Sequence, residues 1–252
     1  MTEAEGRAAT DPDPLLEFVR PAASDRKLRL LAAACCRRVW DWMGRGGRRA
    51  VEMLERRADG DAAEDDLLQA VAAVAEEWME EWGTHHPTNA AYCATGYCSA
   101  GAAPAPALDA ARDAAAVVAL AVGAEASVAR AVSLGYPPPA QPYSEQDAAA
   151  CREAAAEAQA AERKVQCRLV RDIFHCPCRP VFLHRSWGHA GDRAVLKLVG
   201  TIYRERAFDL LPVLGDALED AGCEDVQVLA HCRSERLHAR GCWLLDALLG
   251  KW

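Results

Sequence analysis

Two histidines and two cysteines fall within the twelve residues "HCRSERLHARGC", from His231 to Cys242. Structural zinc sites use four Cys or His ligands in a tetrahedron, usually supplied as two close pairs. Here one pair is adjacent, His231 and Cys232. The other pair, His238 and Cys242, lies four residues apart and shares a helical face if the last helix begins by Leu237. The sequence therefore offers His231, Cys232, His238 and Cys242 as candidate zinc ligands.

Two other interpretations of this cluster remain open. In one, Cys232 or Cys242 is a nucleophile that a nearby histidine activates, with Asp246 one turn beyond Cys242 to orient the base. No stretch with the character of an oxyanion nest accompanies it, which argues against a thiol enzyme. In the other, favoured interpretation, the thiols are small buried hydrophobic groups and His231 ends a helix, where the helix dipole favours it.

Two further groups of cysteines and histidines lie elsewhere in the chain. Neither has the paired CxxC spacing of a strong zinc motif, and the CxC of the first group is not the usual redox spacing. They are His175, Cys176 and Cys178, and His85, His86, Cys93 and Cys98.

Charge is divided unevenly along the chain, whose net charge is −8. Residues 26–57 carry ten basic and three acidic side chains, whereas residues 58–161 carry three basic and sixteen acidic side chains. A basic block can bind nucleic acid, and the candidates here are Arg37, Arg38, Arg48 and Arg49. The absence of an overall basic excess favours mutual attraction of the two blocks inside one fold, so nucleic acid is not an expected partner.

Hydrophobic periodicity and the abundance of alanine predict an all-α fold. We expect a single irregular multi-helix bundle over 1–252, with three sub-regions. Basic helices fill 1–60, alanine-rich acidic helices with a proline-rich linker at 135–142 fill 61–172, and a cap that resembles a helical repeat fills 173–252.

Local signals place the helix ends. Asp13 before Pro14 predicts one N-cap, Ser24 a second and Asp209 a third. "GRGG" at 44–47 is expected to end the helix that Ser24 begins.

Other segments fall between or outside these ends. Long helices are expected over 107–134 and 144–172. The segment 84–106 is expected to be irregular, and "PVFLH" at 180–184 is the one strand-like stretch.

No membrane or secretion signal is evident, so a cytoplasmic protein with reduced thiols is expected. The N-terminal residues have no basic region followed by an apolar one. The most apolar stretch, Ala114–Ala124, is too short to span a bilayer, and Glu125 and Arg130 follow it. The eleven cysteines are an odd number, which argues against a complete disulfide framework.

Several stretches resemble an uncharacterised family of alanine-rich helical proteins abundant in planctomycete bacteria. They include "LLEFVRPAASDRKLRLLAAACCRRVW", "IYRERAFDLLPVLGDALEDAGCEDVQVLAHCR" and "HARGCWLLDALLGK". The resemblance covers both ends of the chain and implies no activity. It includes His231–Arg233, His238 and Arg240–Trp243 but not Cys176 and Cys178. It therefore favours the 231–242 cluster over Cys176 and Cys178 as the candidate site.

We therefore expect a non-enzymatic protein–protein interaction or scaffold module whose partner is another protein, with no catalytic residue and no cofactor assigned. The first alternative is a zinc-binding or thiol-dependent enzyme centred on His231–Cys242. The second is nucleic-acid binding through 26–57.

Overall fold

The computed structural model describes residues 3–80, 107–136, 144–174, 193–234 and 236–251. Within these ranges the chain forms eleven α-helices, three short 3₁₀ helices and no strand. The predicted all-α fold is confirmed. The helices are α1 (Glu3–Ala8), α2 (Pro12–Val19), α3 (Asp25–Cys36), α4 (Arg45–Ala58), α5 (Glu64–Glu80), α6 (Ala107–Ser133), α7 (Glu145–Ile173), α8 (Arg193–Glu205), α9 (Leu211–Asp220), α10 (Val226–Cys232) and α11 (Trp243–Leu249).

Side-chain caps begin several of these helices, and Ser24 is the predicted one that is confirmed. Its hydroxyl accepts from the backbone N–H of Lys27 at 3.3 Å. The predicted N-cap of α2 was wrong by two residues. Asp11, and not Asp13, is the cap, and its carboxylate accepts from the N–H of Asp13 at 3.0 Å. Pro12 then occupies the first helical position, where a missing N–H costs nothing.

Two other predicted ends were wrong. Asp209 does not cap α9, because it lies inside the 3₁₀ helix Phe208–Leu210 that leads into that helix. The helix that Ser24 begins does not continue to Gly44. It ends at Cys36 and tightens into a 3₁₀ segment, Arg37–Trp42, where Val39 has non-helical angles.

Two large hydrophobic clusters, and a small third one between α4 and α5, organise the described residues. We call the first the bundle core; it is built from α2, α3, α4, α6 and α7, with fully buried members such as Leu16, Leu31 and Ile173. The second, the cap core, is built from α8 to α11, with Ile202, Leu214 and Leu244 fully buried. Each helix turns its apolar stripe toward one of these cores, because an amphipathic helix is stabilised mainly by burial of that stripe.

Buried charges connect the basic segment to acids elsewhere in the chain. Arg38 pairs with Glu162 of α7 at 3.0 Å, and Arg26 pairs with Asp246 of α11 at 2.8 Å. Glu162 and Asp246 are both buried. Both of these acids lie outside the acidic block 58–161. Contacts between the two blocks themselves include Arg26 with Asp59 at 2.8 Å and Arg57 with Glu64 at 3.7 Å, which agree with mutual attraction of the blocks.

Helix α6 packs against α3 and, most extensively, against α7. By length and composition alone, Ala114–Ser133 would be apolar enough to cross a membrane. However, Ala114, Val118 and Ala121 are fully buried in the bundle core, so one side of this helix is a core face of a helical bundle.

Some sequence predictions lie outside the described residues. They concern the irregular segment at 84–106, the strand-like stretch at 180–184 and nearly all of the linker at 135–142. The repeat-like character of the cap stays a prediction.

Candidate metal centre

Four side chains from separate parts of the fold converge on one point. Asp172 lies in the last turn of α7, His231 lies in α10, His238 lies in the loop after α10, and Cys242 is the residue before α11. Each offers one potential ligand atom, and these four atoms all lie within 4.8 Å of one another. The described residues contain no other such group of three or more His, Cys, Asp or Glu.

The distances within the cluster are those of atoms in direct contact. The Nδ1 atom of His238 lies 2.7 Å from Oδ1 of Asp172, and Nε2 of His231 lies 3.5 Å from the same oxygen. Nε2 of His231 also lies 3.1 Å from Sγ of Cys242. Two nitrogens, one oxygen and one sulfur therefore surround a small volume.

All four donors are withdrawn from solvent. The side chains of Asp172, His231 and His238 are 3%, 7% and 4% exposed, and Cys242 is fully buried. Buried ionisable groups are costly unless they are paired or coordinate a metal. The cluster thus needs either a metal ion or a complete set of internal hydrogen bonds.

The internal hydrogen bonds are incomplete at one atom. Nε2 of His238 is buried and has no hydrogen-bond partner among the described residues. Since Nδ1 is the nitrogen of this ring that faces Asp172, the orphaned Nε2 shows only that the hydrogen bonding of His238 is incomplete. The convergence of the four donor atoms is the observation that favours a metal ion.

Backbone groups hold the carboxylate in place. Oδ2 of Asp172 accepts from the N–H of Ala239 at 2.9 Å, so its other oxygen faces His238 and His231. Such outer contacts orient ligands and tune their affinity for a metal. The same bond fixes the loop that carries His238 to the end of α7.

Lys27 of α3 joins the two chain segments that carry the cluster. Its ammonium group donates to the carbonyl oxygens of Ile173 and Gly241, at 3.0 and 2.7 Å. These residues directly follow Asp172 and precede Cys242. Lys27 also pairs with Asp246 at 2.6 Å. One lysine therefore holds α7 and the start of α11 at a fixed separation.

Gly241 makes the approach of Cys242 possible. Its φ of +87° lies in the left-handed region, which glycine adopts without the steric cost of a Cβ atom. A Cβ at this position would also lie 3.0 Å from Cδ1 of Leu30. Both the backbone angle and the tight packing against α3 require glycine here.

Trp243 contacts the outer nitrogen of His231. Its indole N–H donates to Nδ1 of His231 at 3.2 Å. A neutral imidazole that accepts at Nδ1 carries its proton on Nε2, where Cys242 and Asp172 lie. Coordination through Nε2 would transfer that proton to Nδ1, and the indole would then have to turn away.

Burial changes the acid–base properties of the cluster. Desolvation raises the pKa of Asp172, although hydrogen bonds from His238 and Ala239 oppose the rise. Burial, together with the nearby Asp172 carboxylate, raises the pKa of Cys242 well above its usual value. Without a metal, the Cys242 thiol therefore stays protonated at neutral pH, which makes it a poor nucleophile.

Three of the four residues that the sequence offered as ligands meet here, and Cys232 does not. Cys232 is buried in the cap core near Cys223, and burial raises its pKa to about 12. Adjacent residues of a helix point about 100° apart, so His231 and Cys232 of α10 face different surroundings.

Two details of the predicted geometry were wrong. His238 and Cys242 do not share a helical face, because α11 begins only at Trp243 and both residues precede it. Asp246 does not orient either histidine; its carboxylate pairs with Arg26 and Lys27. The carboxylate that contacts the histidines is Asp172.

Sequence reasoning missed Asp172, although a signal for it exists. The residue falls on the buried stripe of α7, three residues after Leu169 and next to Ile173. An acid at an apolar position of a helix must find a partner when it is buried. The other two Cys/His groups, at 85–98 and 175–178, lie outside the described residues.

Comparisons of the chain with protein-family models, with curated proteins and with solved structures give no match. The functional argument therefore rests on the cluster itself.

Proposed function

We propose that this protein binds zinc through Asp172, His231, His238 and Cys242, and that the metal has a structural and not a catalytic role. The observation that carries the proposal is the convergence of four buried potential ligand atoms within 4.8 Å. Cysteine and histidine together with one carboxylate are ligands that zinc accepts. Mg²⁺ and Ca²⁺ prefer sites made of oxygen atoms.

The number of donors supports a structural role. Catalytic zinc sites keep a position open for water or substrate, whereas structural sites are closed by four protein ligands. Here four protein donors are available and all are buried. A zinc ion at this position would join α7, which belongs to the bundle core, to α10 and α11, which belong to the cap core.

Metal analysis tests the proposal. Protein purified without a chelator should contain close to one zinc per chain, and Co²⁺ should replace it with the absorption of a tetrahedral site that includes a thiolate. A chelator should then lower the melting temperature, because a ligand that binds only the folded state stabilises it. A zinc content far below one per chain, with no binding of added Zn²⁺ or Co²⁺, would contradict the proposal.

Protein–protein interaction is the second candidate function, and the outer side of α6 favours it. Leu120, Val128 and Val132 are 59%, 44% and 50% exposed among the described residues, and the small residues Ala116 and Ala124 continue the same four-residue spacing. The row extends over roughly 24 Å. Its chemistry suits an apolar helix of a partner protein.

A pair of variants tests this second candidate. A pull-down with the wild-type protein at low and moderate salt should recover a partner that Leu120→Asp and Val128→Asp both lose. Val213→Asp, which changes an exposed valine of α9, is the control. Recovery of no partner, or of the same proteins by all variants, would argue against an interaction role for this row.

The nucleic-acid alternative has less support. Arg38 pairs with the buried carboxylate of Glu162, and Arg48 donates to the carbonyl oxygen of Trp40.

We propose a cytoplasmic protein, since the seven described cysteines are all free and buried. Reduced thiols are the rule in that compartment.

A further inference from the structure

Two buried carboxylates, one in α4 and one at its C-cap, are surrounded by more positive groups than they can neutralise. Glu55 and Asp59 lie one helical turn apart, and their side chains are 3% and 1% exposed. Arg37 binds Glu55 through two hydrogen bonds, of 2.6 and 2.9 Å. Arg206 contacts the same carboxylate, and Arg240 lies 3.9 Å from it.

Asp59 is also surrounded by positive groups and hydrogen-bond donors. Arg26 binds it at 2.8 Å and the hydroxyl of Tyr203 donates to it at 2.8 Å. Lys251 lies 3.3 Å away and Arg240 lies 4.0 Å away. Arg240 therefore stands between the two carboxylates and makes a close hydrogen bond with neither.

The balance of charge in this cluster is positive. The only further carboxylate in direct contact with it among the described residues is Asp246, and exposed Glu52 acts on Arg37 and Arg206 from a longer distance. The three contacting carboxylates face six cations: Arg26, Lys27, Arg37, Arg206, Arg240 and Lys251. Even with Glu52 included, positive charge is in excess.

The cations remain accessible while the carboxylates do not. The side chains of Arg37, Arg206 and Arg240 are 21%, 24% and 15% exposed. Each guanidinium has five N–H donors. The contacts to Glu55, together with the bond from Nε of Arg240 to the carbonyl oxygen of Tyr203, use only part of them. Because the three side chains are partly exposed, the remaining donors are available to an anion from solvent.

The backbone of Arg206 is a second, independent observation. It is the only non-glycine residue in the described part of the chain with a positive φ, at 58°. This position follows the end of α8, where glycine is the usual left-handed residue. An arginine here carries a steric cost that glycine avoids, and strained residues of this kind cluster at ligand sites.

We propose that Arg37, Arg206 and Arg240 form a binding site for a small phosphate-class anion, either inorganic phosphate or a phosphate monoester. The planar fork of a guanidinium matches two oxygens of a phosphate, which makes arginine the preferred residue for this anion. The anion occupies the outer side of the cluster and balances the charge that Glu55 leaves uncompensated.

Calorimetric and thermal titrations test the site. Inorganic phosphate should raise the melting temperature of the wild-type protein more than chloride does at equal ionic strength, and calorimetry should show one site. A parallel titration with phenyl phosphate separates the two sources: tighter binding of the ester identifies a monoester site, and tighter binding of phosphate identifies a free-ion site. No binding of either anion beyond the chloride control would overturn the proposal.

Variants locate the binding. Arg206→Gly removes one guanidinium and relieves the left-handed backbone, so it should fold normally and bind phosphate at least tenfold more weakly. Arg233→Ala is the control, because Arg233 is an exposed arginine that pairs with Asp216 and Glu219 and not with Glu55 or Asp59. Equal phosphate affinity in Arg206→Gly and the wild type would overturn the assignment.

A third variant should change phosphate affinity in the opposite direction. Glu55→Gln removes the competing carboxylate, so phosphate should bind more tightly and should stabilise this variant more than it stabilises the wild type. If the variant is unstable without phosphate, phosphate should restore its folding. Weaker binding in Glu55→Gln, or no recovery by phosphate, would count against the site.

Discussion

The imidazole of His238 lies 2.7 Å from the carboxylate of Asp172, although 66 residues separate them in the chain. The contact joins the end of a long bundle helix to a loop of the C-terminal cap. His231 and Cys242 complete the group from the other side. The cluster is therefore a connection between the two hydrophobic cores as much as a ligand set.

The two buried cysteines of the opening motif should differ in their effect on zinc. Cys242→Ala removes a proposed ligand, so zinc binding should fall by at least a hundredfold. Cys232→Ala removes a thiol from the cap core and should retain one zinc per chain, with a loss of about 1 kcal/mol in stability. Zinc analysis and thermal melts of both variants measure this difference. Equal loss of zinc in the two would show that general destabilisation, and not ligation, is responsible.

Asp172 should behave as a ligand. Asp172→Asn keeps the shape of the side chain but removes its charge, so zinc affinity should fall by more than the roughly tenfold to hundredfold that loss of an outer contact costs. Glu162→Gln is the matched control, because Glu162 is a buried acid of the same helix that pairs with Arg38. Competition with a zinc-sensitive dye gives both affinities. A control variant that loses as much affinity as Asp172→Asn would point to an indirect effect.

The sequence predicts much of the fold because helix signals are local. Ser24 marks the start of α3 by its side-chain cap, and this predicted end is confirmed. Gly222 and Gly250 follow helices in the left-handed conformation that glycine adopts readily. The ligand set is different, since Asp172 meets His238 only through the packing of α7 against the cap. No local sequence pattern predicts that contact. Periodicity in α7 shows only that Asp172 is buried.

Gly241 should be sensitive to substitution for two separate reasons, its backbone angle and its packing. Gly241→Ala places a Cβ in a left-handed backbone and 3.0 Å from Leu30, so it should cost roughly 2–4 kcal/mol. Gly222→Ala shares the positive φ but meets no atom within 4 Å, so it should cost only about 1–2 kcal/mol. Denaturant unfolding of both variants isolates the packing contribution. If the two costs were equal, the contact with Leu30 would not constrain Cys242.

Zinc affinity should rise with pH. Zinc binds the thiolate, and burial raises the pKa of Cys242 well above its usual value, so binding must displace the thiol proton. Below that pKa, each unit of pH should increase the apparent affinity about tenfold from Cys242 alone. Competition titrations between about pH 6.5 and 8.5 measure the slope. An affinity that does not change with pH would mean that Cys242 is not a ligand or is already ionised in the free protein.

Trp243 should report metal binding directly. In the free protein its indole N–H donates to Nδ1 of His231, which leaves the imidazole proton on Nε2. Coordination of zinc by Nε2 would require the imidazole proton to be on Nδ1, where it would face the indole N–H, so the indole would have to turn away.

The indole ¹⁵N–¹H resonance of Trp243 should therefore shift on addition of one equivalent of Zn²⁺. The same resonance should stay unchanged in Cys242→Ala. Trp243→Phe removes the competing donor, so it should bind zinc at least as tightly as the wild type. If the indole resonance does not move while zinc binds, His231 does not ligate through Nε2. If zinc affinity falls in Trp243→Phe, the indole supports the site and does not oppose it.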